Sequence, residues 1–443
     1  GFVITADSRP ATPQPAPVER LMSYLDASPT PFHAAATAAA RLVDEGGFEI
    51  VTEHEPFPTS HGRYAVLRDG ALVAWVQPEG AARHTPWRII GAHTDSPTFQ
   101  VKPHPDVVKA GWQLLGVEPY GPPIYNSWLD RDLGLAGRVV VRDPAGPGGM
   151  RVELFDDRRA LLRLAQLAIH LDRGVNERGL QLNPQQHLVP LWGVGDAAAS
   201  FTAYLGEQVG AAEGDILGFD VSLRDTQPAA LLGRDGDLLA SPRLDNLASC
   251  HAAVEALLAA AVVDGGDRTA CRPAIVLFDH EEVGSRSERG AASPLLGSIL
   301  ERAAGGDRED YWRALAGSVV ASADMAHATH PNYVEMAEPA HQVRMHGGPV
   351  LKVHRELRYA SDGRGIAALR LAAEQADVPL QVFVSRSDLP CGTTIGPITA
   401  GQLGVTTVDV GAPMLSMHSA RELTGVPDQQ AYAALLAAFL RPA

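Results

Sequence analysis

The chain has 443 residues, 45% of them hydrophobic and 20% charged; that length and balance suit a globular protein of two or three domains. Its 37 basic and 52 acidic side chains give a formal net charge of −15, which argues against nucleic acid as the main partner, because phosphate backbones are bound by clustered Lys and Arg. No stretch approaches the ~18 uninterrupted apolar residues of a membrane span, and the three dispersed cysteines, Cys250, Cys271 and Cys391, read as reduced thiols of a cytoplasmic protein.

In chain order, the opening GFVITADSRPATPQPAPVER lacks the basic and apolar regions of a secretory signal, and residues 1–16 read as a flexible arm. Helices are expected over 18–25 and 32–43. Between them, Pro29 and Pro31 end the first and open the second. Apolar runs at 64–67 and 71–75, joined by Arg68-Asp69-Gly70, spell a hairpin, and residues 88–92 form a strand that leads into His93. From about 98 to 237 the character changes. Short alternating strands such as 137–142 dominate, punctuated by Pro and Gly, with one helical run near 160–170. After Pro242 the pattern returns to α/β: helix 247–263, strands 274–278 and 318–323, helix 366–376, strands 380–384 and 405–410, and a C-terminal helix within 429–440. Apolar strands alternating with helices imply a mostly parallel sheet covered on both faces. The expected architecture is therefore an α/β domain of residues 1–97 plus 238–443 with a β-rich domain, 98–237, inserted in it.

Four of the apolar strands lead to residues that can hold a metal: His93 and Asp95, Glu281 and Glu282, Asp324, and, after a loop, His418. Open α/β sheets collect ligands outside the carboxyl ends of their strands, so these residues can converge. Asp245, just before the helix at 247, is either a further ligand or a helix N-cap. Each has a plainer reading when taken singly, such as a hydrogen-bonded turn at His93-Thr94-Asp95. The adjacent Glu281-Glu282 is harder to dismiss, because acids are seldom buried without a partner. Beside a metal such a pair has two jobs, one acid ligating and the other handling a proton. Two His with several carboxylates and no Cys suit catalytic zinc, cobalt or manganese rather than calcium or a structural zinc. A pair of cations also needs a bridging carboxylate.

The blocks GAHTDSPTFQVKP, SPRLDNLASC, FDHEEVGSRSERGAAS, SDLPCGTTIGP and MHSARE, with SPTPFHA near residue 28, resemble the signature blocks of the aspartyl aminopeptidases, the M18 metallopeptidases. The resemblance runs from about residue 21 to the C-terminus. It implies a dinuclear zinc exopeptidase with a phosphorylase/hydrolase-like α/β catalytic domain and a β-rich insertion. His93 and Asp324 would bind one ion, Glu282 and His418 the other, and Asp245 would bridge them, with cobalt or manganese as alternatives to zinc. Glu281 would be the general base, and Asp95 would orient His93. The substrates implied are peptides with an unblocked N-terminal Asp or Glu. Lys352 and Tyr359 match pocket residues of the family, and His327 would hydrogen-bond the substrate. His170 would reach a neighbouring subunit's active site in a tetrahedral homododecamer. Taken alone, Lys352 reads as a solvated surface lysine, Tyr359 as a core aromatic, His327 as a loop histidine and His170 as a satisfied core histidine. Two other functions fit the same residues: a dizinc aminopeptidase or amide hydrolase of broader specificity, and a non-catalytic oligomeric scaffold. Glu281 argues against the scaffold, because a structural metal site needs no base.

Overall fold

The computed structural model describes residues 16–262 and 270–443. The expected arm, save Ala16, and the last residue of the helix expected to end at 263 lie outside the described residues. Helices Pro17–Asp26 and Pro31–Gly46 form on either side of the proline pair. Thr30 caps the second by accepting the His33 N–H, and Gly47 closes it in the left-handed conformation.

The largest sheet has nine strands in the order Glu49–Ile50, Gly62–Arg68, Ala71–Gln77, Arg272–Phe278, Trp87–His93, Val319–Ala323, Thr406–Gly411, Val350–Val353 and Gln381–Val384. Parallel pairing runs unbroken across the four strands from Arg272–Phe278 to Thr406–Gly411. The expected hairpin joins antiparallel on one side and Val350–Val353 antiparallel on the other. These central strands are buried on both faces, which is why they read as mostly apolar runs rather than alternating ones. Ile90, Ala92, Ile275 and Leu277 pack against helices Pro17–Asp26, Pro31–Gly46, Leu244–Val262, Gly363–Ala376 and Val426–Leu440. Ile89, Ala274, Val276 and Phe278 face helices Leu295–Ala304, Arg308–Ala316 and Ile395–Leu403. Pairing His93 with Phe278 and Ala323 with Val410 brings the carboxyl ends of all four strands to one edge. No described helix is long and apolar enough to cross a membrane.

Residues 98–225 supply a six-stranded antiparallel sheet with its own core around Phe99, Leu115, Leu135, Val139, Phe201 and Val221. Two expectations fail here. The strands are long: Thr98–Lys109 has 12 residues and Met150–Leu162 has 13. The run at 160–170 is not a helix either, because Leu162 pairs with Leu133 at the end of a strand and Arg163 exchanges backbone bonds with Leu191. Leu162 and Leu164 are buried with period 2, whereas Leu167, Ile169 and Leu171 are exposed. Sheet pairing overrides the helical composition of this run.

A third sheet, foreseen by no expectation, joins Ala230–Leu232, Leu238–Ser241, Glu422–Gly425, Pro413–Leu415 and Ala326–His327. Its strands have only two to four residues, too short to show a period in sequence. It ties the chain leaving Asp324 to the chain entering Asp245 and to both sides of the loop that carries His418.

Candidate metal centre

His93, the last residue of its strand, is fully buried. Its Nε2 lies 3.3 Å from Asp324 Oδ2, 3.4 Å from Asp245 Oδ1 and 3.5 Å from Glu281 Oε2. The Nε2 of His418 lies 2.9 Å from Asp245 Oδ2 and 3.4 Å from Glu282 Oε1. Asp245 therefore turns one carboxylate oxygen toward each histidine. It does not cap the helix: the regular helix starts at Leu247, so the residue at the cap position is Asn246, and the Asp245 carboxylate faces the histidines rather than the first backbone amides.

Three buried atoms in this cluster have no hydrogen-bond partner: His93 Nε2, Asp245 Oδ1 and Glu282 Oε1. Buried polar atoms are rarely left so. These three converge, and the donor set of imidazole and carboxylate fits divalent zinc-like ions. The electrostatics favour positive charge in the same place. Burial, then the neighbouring acids, pushes the Glu281 carboxyl well above its ordinary range. Burial and Asp245 hold Glu282 up to about 7. Burial opposes charge on His418, but Asp245 and Glu282 outweigh it and raise the imidazole to about 11.

Glu281–Val283 forms a tight 3-10 turn between His280 and Gly284, both left-handed. Asp95 pins this turn. Its Oδ1 accepts the Glu281 N–H at 3.1 Å, and its Oδ2 accepts the Glu282 N–H at 3.0 Å. The same Oδ1 lies 3.2 Å from His93 Nδ1, which also meets the Asp95 carbonyl at 2.9 Å. Asp95 thus addresses the histidine and both acids at once.

Three residues that sequence reasoning did not single out complete the surroundings. The Tyr120 hydroxyl donates to Asp95 Oδ2 at 2.8 Å. Buried Glu422 accepts the backbone N–H of Asp245 at 3.1 Å and of His418 at 2.7 Å. Its signal was an acid four residues beyond His418. Phe383 lies in the adjoining group of side chains described below.

Beneath the turn, buried Asp279 pairs with Arg289 at 2.8 Å. Arg289→Ala should cost about 3 kcal/mol or more of stability by leaving that charge unpaired. Urea unfolding measures it, and an unchanged midpoint would refute the assignment.

Beside Asp324 lies a second group. Lys352 is buried, only 2% exposed, so it is not a solvated surface lysine. Its Nζ donates to the Met325 carbonyl at 3.2 Å and sits 5.2 Å from the centre of the buried Tyr359 ring. The Tyr359 and His327 rings lie 6.4 and 5.9 Å from Phe383, the partner of Lys352 in the sheet. His170 is not brought into either group. It sits exposed on the 3-10 turn Ile169–Leu171, so it is not a core histidine.

The model of the family described as Aminopeptidase I zinc metalloprotease (M18) matches residues 24–440. A protein of Streptomyces coelicolor named "Probable M18 family aminopeptidase 2" is 52% identical over 95% of this chain and 97% of its own length. One of Mycobacterium leprae with the same name is 51% identical over 96% of this chain and 98% of its own. Among solved structures, the chain resembles one titled "Cryo-EM structure of the Ape4 and Nbr1 complex", with TM-score 0.91, 34% identity, and 95% of this chain and 84% of that one covered. The yeast "mApe1 dodecamer" is similar in fold, with TM-score 0.82, 24% identity and 96% of each chain covered.

Proposed function

The chain belongs to the M18 family of zinc metalloproteases and is a metallo-aminopeptidase, and from that premise we propose that it removes unblocked N-terminal Asp or Glu from peptides, using two divalent cations per subunit. The observation that carries the acidic preference is buried Lys352, whose ammonium donates to the Met325 carbonyl beside Asp324 in a protein of net charge −15. An acidic side chain approaching such a protein needs a local cation to overcome the general repulsion. The two-cation reading is supported by Asp245, whose oxygens face different histidines.

In this reading His93 and Asp324 would hold one ion, Glu282 and His418 the other, and Asp245 would serve both. Zinc is the expected metal, with cobalt or manganese able to replace it. When bound, the ions supply Lewis acidity that makes a water nucleophilic near neutral pH and polarises the scissile carbonyl. The chain's own residues do the rest. Glu281, at the rim of the cluster, takes the proton of the attacking water and returns it to the leaving amine. Asp95 keeps His93 in the tautomer that leaves Nε2 free for the cluster. Lys352 receives the substrate's acidic side chain, with Tyr359 and His327 lining the same pocket.

We extend the proposal to assembly and location. Residues 98–237 would serve as the inserted assembly domain of a tetrahedral homododecamer in the cytoplasm. Exposed Leu167, Ile169 and Leu171 around His170 suit burial against a second copy, where His170 would meet that copy's site. Sedimentation should then give a twelve-subunit mass; a monomer would overturn the assembly.

The purified protein supplied with zinc, cobalt or manganese should release Asp or Glu from short peptides far faster than Leu. Chelation should abolish release, and adding the ion back should restore it. Equal rates on Asp and Leu peptides would favour the aminopeptidase of broader specificity, and no turnover with metal bound would leave a scaffold.

A further inference from the structure

The two histidines of the cluster are held in different ways. The Nδ1 of His93 is served from its own strand end, by Asp95. The Nδ1 of His418 meets the carbonyl of Pro122 at 3.2 Å, 296 residues away in sequence. Pro122 belongs to the segment that leaves the six-stranded sheet at Tyr120, where Trp112–Tyr120 ends.

This segment touches the His418 half of the cluster at successive points. Gly121 has a left-handed φ of +69°, and a Cβ built on it would come within 3.0 Å of Glu282 Cβ. Its backbone therefore lies directly against that acid, as only glycine allows. Ile124 donates its N–H to the His418 carbonyl at 3.0 Å. Ser127 Oγ accepts the Ala420 N–H at 2.8 Å. Ala420 in turn is buried in the hydrophobic core of the six-stranded sheet. His418 itself has φ +73° and Ser416 +62°. A non-glycine residue keeps such a conformation when its surroundings over-determine it, and residues 121–127, together with Glu422 on the His418 N–H, supply that support.

We propose that residues 121–127 are a positioning strap for one half of the metal site, so that the cation that His418 and Glu282 would hold depends directly on this segment, whereas the His93 and Asp324 half is reached from the six-stranded sheet through Tyr120 and Asp95 instead. The strap presents the imidazole through the Pro122 carbonyl, fixes its backbone through Ile124 and Ser127, and backs Glu282 through Gly121. Outer partners of this kind tune metal affinity by about 10–100-fold. The inference rests on the two-cation reading above.

Calorimetric titration of the metal-stripped full chain with Zn²⁺, in the presence of a competing chelator, tests it. The unaltered protein should take up two ions. Gly121→Ala and the milder Ser127→Ala should weaken one step by about 10–100-fold and leave the other unchanged. His418→Ala, which should erase the same step, identifies it. Circular dichroism checks that each variant is folded, and Ser127→Ala carries the test if Gly121→Ala is not. Two-ion uptake with both affinities kept in the variants, or with both lost equally, would overturn the strap alone. Uptake of a single ion by the unaltered protein would overturn the two-cation reading and the strap with it.

Discussion

Glu281→Gln should lower kcat on an acidic dipeptide by about 10²–10⁴-fold, the usual worth of a positioned proton-transfer group. The substitution keeps the side chain's shape and leaves the Glu281 N–H free to donate to Asp95 as before, so the turn carrying Glu282 stays in place. What disappears is the capacity to take a proton. Because that capacity is used only in the reaction and not in holding the substrate, kcat and kcat/KM should fall together while KM stays near its original value. Metal content, measured by elemental analysis, should not change. A kcat equal to that of the unaltered protein would remove Glu281 from the role of base. A loss accompanied by loss of metal would make it a ligand instead, a position its 3.5 Å approach to His93 Nε2 leaves open to test.

Lys352→Met should reduce kcat/KM on Asp and Glu peptides by about 30- to 4,000-fold, corresponding to about 2–5 kcal/mol for removing one partner of a desolvated charge pair. Methionine keeps most of the volume, so the site between Val350–Val353 and Tyr359 should not collapse. Peptides beginning with Leu make no use of the ammonium and should lose little or gain. Discrimination between acidic and neutral substrates is therefore the readout. Equal losses on Asp and Leu peptides would mean that Lys352 serves the fold or Asp324, whose ionised form it favours through space, rather than the substrate.

Much of the α/β scaffold is legible because it obeys simple periodicities. The runs ending at His93, Phe278, Ala323 and Val410 are mostly apolar rather than alternating because both faces of the sheet are covered, and helices flank them in alternation. The misread stretch at 160–170 fails for the opposite reason. Its apolar residues serve two purposes, Leu162 and Leu164 entering a sheet core while Leu167, Ile169 and Leu171 stay on the surface, and a local pattern cannot separate them. The small third sheet was invisible because its strands are shorter than any period. Tyr120, Phe383 and Glu422 were missed because each is ordinary in its own neighbourhood; Tyr120 and Phe383 are reached by side chains distant in sequence.

By itself the sequence determined the kinds of atoms this protein offers. It also determined that the candidate metal ligands follow buried strands, since covalent order sets what comes after each apolar run. Only the tertiary structure decided which carboxylate oxygen faces which histidine. Asp245 taken alone reads as a cap, until Asn246 is seen to stand between it and the helix and its two oxygens to diverge toward His93 and His418. The physical reason is that ligation and hydrogen bonding act over about 3 Å, whereas these partners lie more than 150 residues apart in the chain. Only the registered parallel strands and the sheet that ties back the His418 loop bring them within that range.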